Sequence, residues 1–271
     1  MSNHLRTERS SFPVYQVDAF TRQLFAGNPA CVVVLDSWLP DTLLLKIAQE
    51  NAVAETAFLC SVEGGYRLRW FTPELEMDLC GHATLAAAHV VHTQLHPGQS
   101  SIVFETVSGS IEVVCRDGQY ELDFPVRRGQ PAVLPTQIEQ ALNLLPEQVY
   151  LARDYMLVYP SRIEVEQIKV DRSVFDQINL GCGGVVCTAP GDHHEDFVSR
   201  FFTPQASILE DPVTGSAHCT LVPYWSERLG KKVLQATQLS DRGGTLRCAL
   251  NAERVLIAGE AVTYSEGVIY V

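Results

Sequence analysis

The chain has 271 residues, 46% of them hydrophobic and 19% charged, and 20 Lys and Arg against 32 Asp and Glu leave a net charge of −12. That length allows one large domain or two of ordinary size, and the composition describes a packed globular protein, not a disordered one. The acidic balance, with no basic block to offset it, excludes nucleic acid and anionic membranes as expected partners.

Residues 1–11 are polar and lack the apolar stretch of a signal peptide. No apolar run approaches the roughly 20 residues that span a bilayer. The eight cysteines are scattered through apolar stretches without a Cys-x-x-Cys pair. They read as small buried hydrophobes of a soluble, reduced, cytoplasmic protein.

Strand-like runs rich in β-branched residues come first at 14–20 and 30–35, followed by a helical stretch at 39–49 with Asp41 as its expected cap. Strand-like runs at 56–60 and 66–71 flank Gly64-Gly65, which reads as a turn. Residues 83–95 are apolar almost all round, the mark of a buried central helix. Further strands are expected at 101–105, 111–115 and 120–124, the last two joined by a hairpin at Asp117-Gly118. The polar, proline-containing stretch 125–135 marks a boundary between halves.

Beyond it, surface helices are expected at 136–144 and 171–178, and strands at 149–152, 156–158, 184–188, 197–202, 245–250 and 253–258. A second central helix covers 216–229 and ends at Gly230, with Pro223 expected to kink or restart it. Strands dominate and do not alternate regularly with helices. This excludes a doubly wound sheet and predicts an α+β fold.

Two distant stretches repeat one phrase. Phe71-Thr72-Pro73 leads to Cys80-Gly81-His82-Ala83-Thr84, and Phe202-Thr203-Pro204 leads to Asp211-Pro212-Val213-Thr214-Gly215-Ser216-Ala217-His218. Each runs from an aromatic strand end through an acidic loop to a glycine that opens an apolar helix. Two such helix starts facing each other would bind an anion through unpaired N–H groups and the helix dipole.

Glu55 enters a strand among apolar neighbours. It is either a general acid/base whose pKa burial raises or a carboxylate capping backbone N–H groups. His82, after Gly81, either holds a substrate carboxylate or relays a proton, or else pairs with a nearby carboxylate. Asp211 orients a substrate or caps its own turn, and Ser216 caps a helix or binds ligand. Cys80 at a helix start could act as a base, but the matching position in the second copy is Thr214, which cannot. Asn28, in Gly27-Asn28-Pro29-Ala30, reads as structural. His193-His194 lacks a third ligand in recognisable spacing, so no metal is assigned. With no Gly-x-Gly-x-x-Gly helix entry and no Walker loop, no nucleotide cofactor is expected.

Six elements in order, Val17-Asp18-Ala19-Phe20, Gly27-Asn28-Pro29-Ala30, Ala54-Glu55-Thr56, Phe71-Thr72-Pro73, Asp78 to Thr84 and Glu210 to His218, resemble the phenazine biosynthesis PhzF-like family of diaminopimelate epimerase-like fold. The resemblance implies two similar halves, 1–127 and 128–271, each a β-roll around a central helix, with the last strand returning to the first half. It implies a cofactor-independent isomerase, homodimeric, with its site between the halves and a small carboxylate as substrate. Glu55 would be the general acid/base, His82 and Asp211 would assist, and Gly81, Gly215 and Ser216 would offer donors. The best-known activity of the family shifts a proton in dihydro-hydroxyanthranilate. This chain has Tyr15-Gln16 where the family has a histidine, and Cys-Gly-His-Ala in place of Cys-Gly-His-Pro, departures that bear on the substrate. Two alternatives remain: a thiol epimerase or racemase using Cys80, and a silent member that binds a ligand or protein.

Overall fold

The computed structural model describes residues 10–192 and 194–271; the expectations placed on residues 1–9 and on His193 lie outside them. The chain runs through β1 (Ser11–Ala19), β2 (Asn28–Leu35), α1 (Asp41–Asn51), β3 (Glu55–Val62), β4 (Gly65–Phe71), β5 (Glu76–Met77), α2 (Gly81–Val90), β6 (Ser101–Thr106), β7 (Gly109–Arg116) and β8 (Gln119–Pro125). It continues with β9 (Gln130–Pro131), α3 (Thr136–Ala141), β10 (Gln148–Leu151), β11 (Tyr155–Val158), α4 (Arg162–Gln167), α5 (Arg172–Phe175), β12 (Val185–Pro190) and β13 (Phe197–Phe202). The last elements are β14 (Glu210–Asp211), α6 (His218–Leu229), β15 (Val233–Gln238), β16 (Gly244–Asn251), β17 (Arg254–Gly259) and β18 (Ala261–Tyr270).

The strand pairings repeat. In the first series β1–β2 is antiparallel, β2–β3 parallel, β3–β4 and β4–β5 antiparallel, β4–β6 parallel, and β6–β7 and β7–β8 antiparallel. From β10 to β17 the same sequence of pairings recurs strand for strand. The fold is therefore α+β with two similar halves. They are sewn together where β8 pairs with β17, and β18 crosses back to pair with β1.

The first half wraps its helix because α2 has no polar face to turn outward. All ten residues of α2 are buried, and it packs on β1, β2, β3, β7 and β8. Its alanines at 83, 86, 87 and 88 let strands approach from several sides at close-packed density. The helix then continues as a single π-helical stretch, Val91–Leu95. In the second half α6 packs on β15, β16 and β17, and its Trp225 is fully buried in the same apolar cluster as Leu85 of α2.

Asp117 and Gly118 take φ of 53° and 77°, the two left-handed residues of a type I′ hairpin. The neighbouring turn is Glu63-Gly64, since Gly65 already pairs with Val62. Asp41 does not cap α1. Pro40 occupies the cap, and Asp41 lies in the first turn, where it reaches Arg69 at 2.9 Å. Pro223 does not restart α6, which runs unbroken from His218 to Leu229. The carbonyl it leaves without an intrahelical donor, Cys219 O, accepts the backbone N–H of Arg127 at 2.9 Å. Gly230 ends the helix in the left-handed conformation. No helix among the described residues is long and apolar enough to cross a membrane.

Candidate active site

The repeated phrase brings two helix starts into contact. Extended Cys80 precedes α2, and Thr214 precedes a 3₁₀ turn at Gly215–Ala217 that runs into α6. A methyl group on Gly81 would lie 3.4 Å from Gly215 Cα, and one on Gly215 would lie 3.5 Å from Gly81 Cα. Side chains beyond a methyl would push the two backbones apart. Beside this contact opens a cavity of about 500 Å³ whose lining includes Glu55, Gly81, His82, Asp211, Gly215 and Ser216. All six residues singled out in the sequence thus meet in one place.

Glu55 is the first residue of β3, and the parallel register with β2 sets it opposite Ala30. Its side chain is 15% exposed, against 4% for His82 on α2. His82 Nε2 lies 3.0 Å from Glu55 Oε2. That is ion-pair range, yet both atoms are buried and neither has an aligned hydrogen-bond partner among the described residues. The other ring nitrogen, Nδ1, lies 3.1 Å from Asn28 Nδ2 and 3.6 Å from Cys80 Sγ. Asn28 Nδ2 has only two hydrogens, and its shorter contacts run to Asp211 Oδ1 at 2.7 Å and Val213 O at 2.9 Å. Cys80 is therefore the group left to share a hydrogen with Nδ1.

Asp211 is held on every side. The Thr214 hydroxyl donates to its second oxygen. Gln238 Nε2 donates to Asp211 O at 2.7 Å, and Gln238 Oε1 accepts from Thr214 N at 2.8 Å. Burial pushes the Asp211 carboxyl up to about 6, the Glu55 charge adds to this, and His82, Thr214 and Asn28 oppose it. Burial likewise raises the Cys80 thiol, and Glu55 raises it further, so it stays protonated near neutrality. At His82 burial opposes the charge, but the groups at the two ring edges outweigh it and the imidazole is raised well above its usual value.

One ligand atom each from Glu55, Cys80 and His82 lies within 4.8 Å of the others, a set that could hold a metal ion. The carboxylate faces Nε2, however, while the sulfur faces Nδ1. One ion cannot take both neighbours through a single ring nitrogen without rearrangement, and the imidazole stands between them as a bridge.

Three residues of the site escape a sequence reading. Asn28 is fully buried at the centre of the polar network, so its role is positional, but at the site and not merely in a turn. Gln238 comes from β15, a strand whose polar residues hide its apolar alternation. Arg153 reaches the cavity from the β10–β11 turn, and its Nη2 donates to Ser216 Oγ at 2.9 Å. The adjacent opposite charges Arg153-Asp154 were the one visible sign.

A family model described as phenazine biosynthesis-like protein matches residues 17–267. An uncharacterized isomerase of Pseudomonas aeruginosa is 46% identical over 255 residues, covering 93% of this chain and 96% of that protein. A second from the same organism is 43% identical over 258 residues, covering 95% and 98%. A crystal structure of a PhzF-family phenazine biosynthesis protein from Enterococcus faecalis superposes with a TM-score of 0.90 at 43% identity, covering 97% of this chain and all of that one. With its duplicated fold, its facing glycines and these matches along nearly its whole length, the chain belongs to the phenazine biosynthesis-like (PhzF) family.

Proposed function

We propose that this protein is an isomerase that moves a proton on a small carboxylate-bearing metabolite without a cofactor, in the cleft between halves 1–127 and 128–271. The observation that carries the reading is Glu55 standing 3.0 Å from a buried His82 in the cavity that also holds Asp211. In the proposed reaction Glu55 takes a proton from carbon and returns it elsewhere on the same π system. Negative charge that develops on the substrate meets the N–H groups at Gly81 and Gly215, each worth ~3–4 kcal/mol when well placed. Asp211, its carboxyl pushed up to about 6 by burial, holds a proton more readily than an ordinary carboxyl and is suited to an assisting acid role. The isomerase names of the P. aeruginosa relatives support the reaction class.

The internal repeat favours one base over two. Glu55 opens β3, whereas the corresponding strand β12 opens with buried Val185, and Cys80 corresponds to Thr214. The second half thus supplies no matching carboxylate or thiol, which counts against a two-thiol racemase. The Glu55, His82 and Asp211 set counts against a silent binding member. The same reading takes the enzyme as a cytoplasmic homodimer, which light scattering would check for the assembly. The test of function is a thermal-shift screen of small carboxylic acids, followed by deuterium incorporation into the stabilising compounds in heavy water. Incorporation that Glu55→Gln abolishes supports the proposal, and undiminished incorporation in that variant rejects it.

A further inference from the structure

Arg153 is the only Arg or Lys among the described residues that line the cavity, whose other charged walls are Glu55, Glu74, His82 and Asp211. It sits in the turn Ala152–Asp154 between β10 and β11 with its side chain 20% exposed. Its rear edge is fixed: Nε lies 3.1 Å from Asp154 Oδ1 and Nη2 3.1 Å from Asp154 Oδ2. Asp154 is itself buried, and its Oδ1 accepts Gly184 N–H at 2.9 Å. A second Nη2 hydrogen goes to Ser216 Oγ at 2.9 Å.

This uses one hydrogen on Nε and both on Nη2. Among the described residues no acceptor meets Nη1, whose two N–H groups remain free. Ser216, having accepted from Arg153, keeps its own hydroxyl hydrogen to donate. Ser216 also follows Gly215 at the start of the second central helix, where backbone N–H groups are unpaired. The guanidinium edge, the hydroxyl and the helix start thus offer donors side by side at one end of the cavity.

The duplicated topology gives an independent reason for this placement. In the first half Asn28, the first residue of β2 after the β1–β2 connection, joins the polar network, and in the second half the counterpart of that connection, the β10–β11 turn, delivers Arg153. The two equivalent loops are used differently. One positions acid/base groups, and the other presents a cation.

We infer that Arg153, together with the Ser216 hydroxyl, anchors the anionic group of the substrate, a carboxylate, and so turns the reacting carbon toward Glu55. The inference rests on the reading that this cavity is the substrate site. Arginine suits the task because its planar fork matches a carboxylate, and Asp154 keeps that fork from rotating. Lysine would supply charge without the fork. Arg153 is then a positioning and specificity residue, since it discriminates an acid from an isosteric neutral molecule and transfers no proton.

The test uses benzoate and crotonate as probes, each paired with its amide, with binding measured by calorimetry on the full chain. Wild type is expected to bind each acid roughly tenfold or more tightly than its amide. The double variant Arg153→Gln/Asp154→Asn leaves no lone buried charge, and the side-chain amide oxygen introduced at position 154 still accepts the Gly184 N–H. It is expected to lose most of the acid affinity and leave amide binding unchanged, so that the acid-to-amide ratio collapses, while Arg153→Lys recovers part of it. An unchanged ratio in the double variant, or a wild type that prefers neither acid, overturns the inference. Proton exchange by wild type that Glu55→Gln abolishes would survive that result, so the failure of this anchor is distinguishable from the failure of the isomerase reading.

Discussion

The side-chain amide of Asn28 donates to Asp211 Oδ1 across 2.7 Å, joining residues 183 positions apart in the chain. The same nitrogen lies 3.1 Å from His82 Nδ1. With its other hydrogen on Val213 O at 2.9 Å, one amide from the first half therefore fixes the Asp211 loop of the second half beside His82. Asn28→Ala strands the Asp211 and Val213 acceptors in a buried setting, at a cost of about 1–3 kcal/mol. The urea midpoint should fall accordingly, and the turnover number should fall more than KM rises, because the groups are misplaced and the pocket is not blocked. Unchanged stability and turnover would remove Asn28 from the site.

Glu55→Gln keeps the size of the side chain and removes its basicity. Exchange of substrate protons with heavy water should drop by ~10²–10⁴, the range for loss of a positioned general base. Calorimetric binding of the same ligand should change little. Loss of binding with retained exchange per bound molecule would reverse the assigned role.

Burial lifts the Asp211 carboxyl from its ordinary value of 3.8 to about 6. A group that binds its proton more tightly when folded stabilises the fold fully below the unfolded value, and that contribution is lost as pH rises through the folded value. Wild type should therefore lose stability relative to Asp211→Asn as pH climbs from 3.8 to about 6, with a constant difference above. Denaturation midpoints of both proteins across that window read the effect directly. Parallel curves would mean that Asp211 is not raised.

Cys80 is buried, and its thiol is pushed toward the protonated form, whereas Cys182 is exposed. Iodoacetamide should modify Cys182 well before Cys80, as peptide mass spectrometry would show. Cys80→Ser should keep proton exchange within a factor of about ten, since loss of an essential base costs ~10²–10⁴. A larger loss would restore the thiol mechanism.

Much of the fold is visible in local pattern, because local pattern records burial of whole faces. The all-apolar stretch after Gly81 could only be a central helix, and Asp117-Gly118 could only close a hairpin. Two of the longer strands, β15 and β18, were not visible. Gln and Thr make β15 too polar for its residue pattern to mark its alternating burial, and β18 is largely exposed along its length. The interior Pro223 misleads for a related reason: the acceptor it frees is satisfied by Arg127, a residue far away in sequence.

What the sequence by itself determined is the repeated phrase, the helix starts it creates, and the short set of acid/base side chains placed next to them. Only the tertiary structure decided that Gly81 and Gly215 touch, that Asn28 and Gln238 hold Asp211, and that Arg153 enters the same cavity. It also decided which carboxyl has its proton affinity raised. The physical reason is common to all of these. Desolvation and hydrogen-bond partnership depend on atoms brought together from distant positions, and a local pattern carries no record of which distant atoms those will be.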